Sequence, residues 1–434
     1  MQFAAAMAEW KRAMSANAVP TSVAVNARRY RIPQRPVAVL CLDGWDPSYL
    51  DVSLAADELP AIAACRGSGY LGRAASAMPS FTNPNNLSIV TGVPPAVHGV
   101  SGNFYLDRRT GETVMVTGDE ELQAPTILAA IASAGVPTAV VTAKDKLRRA
   151  LAKGLPIGPC GIAVSAERAG EAQAATHGID DLPAFVGAPV PDQYSAELSL
   201  FVLDAGLALL RAGRARLLYL SLSDYVQHRH APEAPEARAF LRAVDARIGA
   251  LMSAGALVAA TADHGMTDMA LPDGSPNVIF VGDLLDARFG AAAARVICPI
   301  TDPFVRHHGA LGGFVRVHLA PGLDAAEVAA FLSGILGIHL AIPGSEACAR
   351  FDLAPAMEGD VTVLGARGVA LGAHASEHDL SQLAGERLRS HGSLFEQEVP
   401  FLLSAPLRPE WLAAHPALRN YDIFDAALNA VAAP

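Results

Sequence analysis

The chain has few cysteines, and their spacing lacks the signature of a disulfide framework or a zinc finger. The five thiols are widely separated, odd in number and without a CxxC pair: Cys41, Cys65, Cys160, Cys298 and Cys348. Isolated cysteines of this kind are typical of reduced, mostly buried thiols. We therefore expect a reducing compartment and take the cytoplasm as the location.

A long uninterrupted apolar run is also lacking. The longest mostly apolar stretch, residues 128–143, is broken by Gly135 and Pro137, which argues against a transmembrane helix. Charged residues interrupt the apolar start of residues 1–19 before the core of a signal peptide could form. We expect no membrane partner.

Positive charge is scarce. The 33 Lys and Arg residues are outnumbered by 43 Asp and Glu residues, which gives a formal net charge of -10. Non-specific binding to nucleic acid or to a membrane surface depends on an excess of Lys and Arg, so we expect neither. An anionic small molecule would need positive charge concentrated at one place.

Internal repeats and low-complexity tracts are absent, whereas apolar runs that end on a polar residue recur. The predicted strands cover residues 37–42, 138–142, 217–222 and 256–262, and Asp43, Lys144, Asp224 and Asp263 lie at or just beyond their ends. The predicted helices between them cover residues 59–66, 126–133, 196–211 and 235–254. Apolar strands that alternate with helices predict an α/β fold with a doubly wound, mostly parallel central sheet and helices on both faces.

The pattern changes near residue 272. Residues 295–299, 313–319 and 337–342 resemble strands and residues 325–336 a helix, which predicts a small α+β cap inserted into the core. We predict an N-terminal extension over residues 1–22, an α/β core over residues 23–271 and 366–434, and the cap over residues 272–365. The oligomeric state, monomer or homodimer, stays open.

A candidate nucleophile lies in residues 79–86, which read PSFTNPNN. Pro84 disfavours helical geometry at Asn83, so a helix is expected to begin only after Thr82. The Thr82 hydroxyl would then lie at a strand-to-helix turn, where free backbone N–H groups and the helix dipole favour an anion. The alternative is an ordinary N-cap threonine.

Carboxylate and imidazole ligands occur near the ends of the predicted strands and in a late loop. Together with Thr82 the candidate metal ligands are Asp43, Asp224, His228, Asp263, His264 and His391. Aspartate oxygens and imidazole nitrogens are usual ligands of catalytic zinc, and seven candidates are too many for one tetrahedral ion. The set predicts two ions, roughly 4 Å apart, with Thr82 between them.

Each ligand segment also has a structural alternative. Asp43 and Gly44 could form a plain turn, and Asp224 with His228 could be a helix N-cap followed by a surface histidine. With two ions present, Thr82 would be activated as the nucleophile, and the Asn103 amide would stabilise a phosphoryl oxygen in the transition state. The alternative for Asn103 is a turn asparagine.

The segments 42–44, 79–85, 91–100, 261–266 and 390–392, with Asp224 and His228, resemble the alkaline phosphatase superfamily, in particular its nucleotide pyrophosphatase/phosphodiesterase branch. Within that branch, residues 142–148, 224–228, 299–312 and 388–392 are similar to the phosphonoacetate hydrolases. The resemblance covers nearly the whole chain from residue 23 to residue 404. Trp45, Asp46 and Arg229 depart from the pattern, and none of them is a proposed ligand.

The resemblance implies two zinc ions and hydrolysis of the carbon–phosphorus bond of phosphonoacetate to acetate and phosphate. One ion would be held by Asp224, His228 and His391. The other would be held by Asp43, Asp263 and His264, with the Thr82 oxygen as nucleophile and ligand.

The carboxylate of such a substrate requires cations, because cleavage leaves an enediolate with extra negative charge. Lys144 and Lys146 alternate by two in what we expect to be an extended strand end, so both could reach the carboxylate from one side. Arg306 and His307 could close on it from the cap. The alternatives are a solvated basic loop for the lysines and a second metal site at residues 306–308.

Two rival functions stay open at this point. A nucleotide phosphodiesterase of the same fold would need an aromatic slot for a base, which Phe81, Phe104 and Tyr105 could supply. A non-catalytic binding protein would use the charged strand ends only as a scaffold.

Overall fold

The computed structural model describes residues 20–302, 308–383 and 385–431. The strands, numbered in chain order, are β1 (Ser22–Val25), β2 (Arg28–Arg31), β3 (Val37–Cys41), β4 (Tyr70–Ala75), β5 (Phe104–Leu106), β6 (Thr113–Met115), β7 (Thr138–Thr142), β8 (Gly161–Ser165), β9 (Leu217–Ser221), β10 (Leu257–Thr261), β11 (Thr267–Asp268), β12 (Val278–Phe280), β13 (Ala294–Ile297), β14 (Phe314–Leu319), β15 (Ile338–Pro343), β16 (Val361–Gly365), β17 (Ala370–Gly372), β18 (Arg389–Ser390) and β19 (Glu398–Leu403).

The α-helices are α1 (Pro47–Ala55), α2 (Pro60–Ser68), α3 (Thr82–Thr91), α4 (Pro95–His98), α5 (Ile127–Ser133), α6 (Asp145–Leu151), α7 (Ala174–His177), α8 (Leu182–Val186), α9 (Ala196–Arg211), α10 (Tyr225–Arg229), α11 (Pro235–Ser253), α12 (Val281–Phe289), α13 (Ala325–Ser333), α14 (Gly344–Phe351), α15 (Pro409–Ala414) and α16 (Ile423–Asp425). Short 3-10 helices cover Ala169–Glu171, Pro355–Met357, Ala375–Glu377, Ser381–Leu383, Leu394–Glu396 and Asn420–Asp422, and a π-helical turn covers Ala426–Ala430.

A central sheet organises the part of the chain that the structure describes. Its seven strands follow the order β4-β19-β10-β3-β9-β7-β8. Strands β10, β3, β9, β7 and β8 run parallel, whereas β19 is antiparallel to both of its neighbours. The five parallel strands are buried along their whole length, as expected for apolar runs covered on both faces. The predicted α/β fold with a mostly parallel sheet is confirmed.

The register of the sheet brings three strand ends to the same level. Cys41 at the end of β3 lies beside Ser221 of β9 and Thr261 of β10. Residues that follow these strands therefore emerge together at the carboxyl edge, which is where open α/β sheets bind their ligands.

A second, antiparallel sheet has the order β13-β14-β16-β15, and α13 packs on β15 and β16. Its strands and helix follow the α+β pattern predicted for the cap. Its hydrophobic cluster also contains Met78 and Phe81, so the cap packs against the segment that leads into α3. The domain boundaries at residues 272 and 365 stay a prediction.

Two local predictions were wrong. Helix α3 begins at Thr82 itself and not after it, because Pro84 then falls in the first turn, where an N–H is not needed for an intrahelical hydrogen bond. Lys146 lies in the first turn of α6 and not in an extended strand end. The sequence reading also missed β4 and β8.

Candidate active site

Three aspartates meet at the carboxyl edge of the central sheet. Asp43 follows β3, Asp224 follows β9 and precedes α10, and Asp263 follows β10. All three are buried. Their proximity follows from the shared level of the three strand ends.

The first ligand group combines Asp224 with two histidines. His228, one helical turn further along α10, places Nε2 2.9 Å from Asp224 Oδ2, and His391 places Nε2 3.9 Å from the same oxygen. His228 Nδ1 lies 2.7 Å from the Arg389 carbonyl and His391 Nδ1 2.8 Å from the Ser80 carbonyl. Because a carbonyl only accepts, both histidines donate a proton from Nδ1 and direct Nε2 into the group.

The second ligand group contains Asp43, Asp263 and His264. His264 donates its Nδ1 proton to the Gly265 carbonyl at 2.9 Å, and its Nε2 lies 3.4 Å from Asp43 Oδ1 and 3.8 Å from Asp263 Oδ2. Asn86 fixes Asp263 by donating from Nδ2 to Oδ2 at 3.0 Å.

The two groups are adjacent. The rings of His264 and His391 stack with centroids 3.5 Å apart and planes 6° from parallel. Within each group the ligand atoms lie within 4.8 Å of one another. The structure thus brings the six predicted ligands together in the two sets of three that the resemblance implies.

The chemistry of these residues fits two divalent cations. Burial, together with the charges of Asp224 and Asp263, raises the pKa of Asp43 well above its usual range. Burial also raises the pKa of Asp263. Among the described residues none donates a hydrogen bond to the buried Asp43 Oδ1. Three buried carboxylates beside imidazole Nε2 atoms are the ligand set of a zinc-type site, and a cation would offset the repulsion between the carboxylates.

The pKa values of Asp224 and His391 are both lowered, but for different reasons. Burial opposes ionisation of Asp224, but the charges of Lys144 and His228 outweigh it and hold the pKa of that carboxyl well below its usual range. Burial and the neighbouring His264 and His228 hold the pKa of His391 well below its usual range. Both side chains are therefore in the unprotonated form that binds a metal.

Thr82 lies at the start of α3 between the sheet edge and the cap. Its Oγ1 is 3.2 Å from His264 Nε2, and the residue is half-buried. The expected cluster of free N–H groups is smaller than predicted, because Pro84 has none and the Asn83 N–H donates to Asn103 Oδ1 at 3.2 Å. That bond uses the Asn103 carbonyl oxygen and leaves its amide N–H groups for a ligand.

Lys144 and Lys146 line a cavity of about 250 Å³ next to the first ligand group. Lys144 Nζ donates to Asp224 Oδ1 at 3.3 Å, and Lys146 forms an ion pair with Asp302. The side chains of the two lysines are only 18% and 13% exposed, so the solvated basic loop is excluded. Arg306 and His307 lie outside the described residues.

Sequence reasoning missed three residues at the site. Asn86 connects the site to the sheet, because its Oδ1 accepts from Tyr219 at 2.8 Å and Ser221 at 2.9 Å. The His308 ring packs 5.5 Å from that of His228. Asp302 pairs with Lys146. The only sequence signal was that Asn86 belongs to the segment around Thr82 and that Asp302 and His308 flank Arg306.

The chain is similar to known proteins in sequence and in fold. The family model described as type I phosphodiesterase / nucleotide pyrophosphatase matches residues 37–303. Crystal structures of phosphonoacetate hydrolase from Sinorhizobium meliloti 1021, one in complex with phosphonoformate and one with phosphonoacetate, are 48% and 47% identical to this chain. Their TM-scores are 0.91 and 0.89, over 95% of this chain and 99% of theirs.

More distant structures share the fold. Human ectonucleotide pyrophosphatase / phosphodiesterase 5 is 15% identical with a TM-score of 0.61, over 92% of this chain and 96% of that one. The murine protein, in an inactive form in complex with AMP, is 15% identical with a TM-score of 0.60 over the same shares.

Proposed function

This chain belongs to the type I phosphodiesterase / nucleotide pyrophosphatase family, and from that premise we propose that it hydrolyses the carbon–phosphorus bond of phosphonoacetate to acetate and phosphate. One observation carries the proposal beyond the family: two lysines with little-exposed side chains line one cavity, and Lys144 contacts Asp224 of the first ligand group. They supply the local positive charge that an acidic chain needs to bind a carboxylate-bearing phosphonate. The similarity to phosphonoacetate hydrolase supports the same substrate.

We assign Asp224, His228 and His391 to one zinc ion, and Asp43, Asp263, His264 and the Thr82 oxygen to the other. Zinc supplies positive charge that lowers the pKa of a hydroxyl and polarises a phosphoryl oxygen. The assignment is supported by the two compact ligand sets and by the backbone carbonyls that fix the histidine tautomers.

In the proposed reaction Thr82 Oγ1 attacks phosphorus in line with the carbon that leaves. The Oγ1–P bond forms as the hydroxyl proton passes to water, the P–C bond breaks, and its electron pair passes to the acetate fragment as the enediolate, which takes a proton from water. The Asn103 amide donates to a phosphoryl oxygen, and Lys144 and Lys146 stabilise the charge that grows on the carboxylate. Water then hydrolyses the phosphothreonine, which releases phosphate and restores the hydroxyl.

The test compares two leaving groups. Lys144→Ala should lower phosphonoacetate turnover about 100-fold, the usual cost of losing one group that stabilises developing charge. Hydrolysis of an aryl phosphonate ester should change little, because its leaving group carries no carboxylate. The measurement is kcat/KM for both substrates in zinc-loaded protein.

Arg149→Ala is the matched control, because Arg149 lies in the same helix α6 but is exposed and pairs with Glu120. Equal losses on both substrates would show that Lys144 acts only through its bond to Asp224, and the assigned role would be wrong. Lack of turnover by the wild-type protein, with hydrolysis of a dinucleotide ester instead, would favour the nucleotide phosphodiesterase. Phe81 does not support that rival, because its ring is fully buried against Phe314 and His391.

The cytoplasmic location stays part of this proposal and is supported by the five cysteines, which are all free thiols. Within the described residues no helix combines the length and the apolar character that crossing a lipid bilayer requires.

A further inference from the structure

Lys146, which we assign to binding of the substrate carboxylate, already forms an ion pair with a carboxylate of the protein. Lys146 Nζ contacts Asp302 Oδ2, and the two side chains are only 13% and 3% exposed. The following inference rests on the proposed function, because it concerns the same carboxylate-binding position. A ligand that places its carboxylate at Lys146 must share or replace this internal partner.

Asp302 is held in place by the backbone that carries it. Thr301 N–H donates to the Cys298 carbonyl at 2.9 Å, which forms a turn directly after β13. The Pro299 carbonyl in the same turn accepts from Asn103 N–H at 2.9 Å. Asp302 is therefore connected through this turn to Asn103, and it lines the same cavity as the two lysines.

The charges around the cavity are nearly balanced before a ligand enters. Lys144, Lys146 and Arg168 line it, and so do Asp145, Glu167 and Asp302. Burial and the charge of Lys144 lower the pKa of Lys146 to about 7, and the carboxylates of Asp224, Asp43 and Glu167 oppose this shift. Because the Asp302 carboxylate contacts Lys146 directly, it cancels part of the attraction that an entering carboxylate would feel.

We propose that Asp302 is a specificity-determining residue that competes with the ligand carboxylate for Lys146. In the free protein the Asp302 carboxylate pairs with the Lys146 ammonium group, where the ligand carboxylate would otherwise bind. On binding, the ligand carboxylate takes over the position and loses part of its binding free energy to the displaced Asp302. After the reaction, Asp302 pairs with Lys146 again, and this competition lowers the affinity for acetate.

The test measures anion binding by calorimetry in zinc-loaded protein with two probes. Phosphonoformate carries a phosphonate and a carboxylate, whereas methylphosphonate carries the phosphonate alone. Asp302→Asn removes the competitor and should tighten phosphonoformate binding about tenfold, with the methylphosphonate affinity unchanged within about twofold. Acetate should also bind more tightly to this variant. Asp302→Glu, which retains a carboxylate, should behave like the wild type.

Asp145→Asn is the matched control, because Asp145 lines the same cavity but pairs with Arg148. Weaker phosphonoformate binding by Asp302→Asn would mean that Asp302 only positions Lys146, and the proposal would be overturned. Equal shifts for both probes, no shift, or the same gain in Asp145→Asn would also overturn it. Should Asp302→Asn fail to fold, Asp302→Ser provides the same measurement.

The two proposals fail separately. Calorimetry records anion binding without any cleavage, so the ratio of the two affinities decides the role of Asp302 alone. The proposed function fails when wild-type protein releases no acetate and phosphate from phosphonoacetate, whatever that ratio is.

Discussion

The chemistry of the site depends on which nitrogen of each histidine carries a proton. His228, His264 and His391 each donate Nδ1–H to a backbone carbonyl, so all three present Nε2 to the two ligand groups. One of these carbonyls belongs to Arg389. The side chain of Arg389 is itself buried, donates from Nε to the Gln227 carbonyl at 2.8 Å and from a terminal nitrogen to the Tyr49 hydroxyl at 3.1 Å. Arg389 therefore holds the end of α10 that carries His228.

Arg389→Met should lower zinc affinity about tenfold, because groups that orient a metal ligand typically contribute one to two orders of magnitude. The measurement is a competitive titration with a chromophoric chelator, which does not depend on turnover. Arg387→Met is the control, since Arg387 lies two residues away, is exposed and pairs with Asp268. Equal zinc affinities of the two variants would contradict the positioning role of Arg389.

The sequence predicts which residue types gather at the site better than it predicts how they are oriented. Asp43 and Asp263 directly follow recognisable apolar strands, so their meeting at one edge could be anticipated. His391 lies in a late loop, and only the resemblance to known hydrolases assigned it to a group. Tautomers, the Lys146–Asp302 pair and the role of Asn86 depend on contacts between residues far apart in the chain, which no local pattern records.

At the scale of elements, the strands that are buried on both faces could be predicted from the sequence. The strands at the edges of the sheet were predicted less well. The runs of β3, β7, β9 and β10 are continuous and apolar, and their predicted bounds lie close to the observed ones. Strand β4 at the edge is half-exposed and contains Arg73, so its pattern is weak. The start of α3 was misjudged because the preference of the residue before a proline was overridden by a hydrogen bond from Asn83 N–H to Asn103.

Helix α12 is attached to the 3-10 turn Ala375–Glu377 by a histidine between two carboxylates. His374 Nδ1 lies 2.6 Å from Glu377 Oε1, and Nε2 lies 3.2 Å from Asp286 Oδ2 on α12. Asp283 of the same helix accepts from Ala375 N–H at 3.1 Å. The hydrogen bond to Glu377, with a further one to Asp286, raises the pKa of His374. Only the protonated ring can donate to both carboxylates.

The attachment should therefore depend on pH. Because the folded-state pKa is raised, His374 stabilises the fold fully below its unfolded pKa of about 6.5, and this stabilisation is lost as pH rises through the folded value. His374→Gln should lower the unfolding temperature at about pH 5.5 and have little effect at about pH 9, with a cost of about 1 kcal/mol or less for a half-buried pair. His339→Gln, at an exposed position on β15, is the control and should show no such trend. A difference that is constant with pH would contradict the prediction.

At the scale of the whole molecule, the core and the cap are joined by a buried arginine of the cap, which is paired with a carboxylate of the cap. Arg316 on β14 is fully buried, donates from Nε to Glu358 Oε2 at 2.9 Å and donates to the Ser101 carbonyl at 2.7 Å. Ser101 lies two residues before Asn103, so the hydrogen bond from Arg316 connects the second sheet to the loop that carries a proposed catalytic group. The apolar alternation of β14 predicts a strand, but an arginine within it gives no sign that its partner is 42 residues away.

Arg316→Met should therefore lower the free energy of unfolding by more than the lost packing of the arginine side chain alone. It leaves Glu358 buried without its cation, which typically costs 3 to 5 kcal/mol, or about 3 kcal/mol where Thr362 and the Gly359 N–H still donate to the carboxylate. The double variant Arg316→Met with Glu358→Gln removes the uncompensated charge and should recover part of that loss. Urea unfolding of the single and double variants measures both.

Arg295→Met is the matched control, because Arg295 lies on the neighbouring strand β13, is exposed and donates only to the Gly111 carbonyl among the contacts of the described chain. It should cost about 1 kcal/mol or less. A single variant as stable as this control, or a double variant less stable than Arg316→Met alone, would mean that the buried Arg316 and its pair with Glu358 do not stabilise the fold. The loop with Asn103 would then depend for its position on the Pro299 carbonyl and on Val116, whose N–H donates to the Asn103 carbonyl at 2.9 Å.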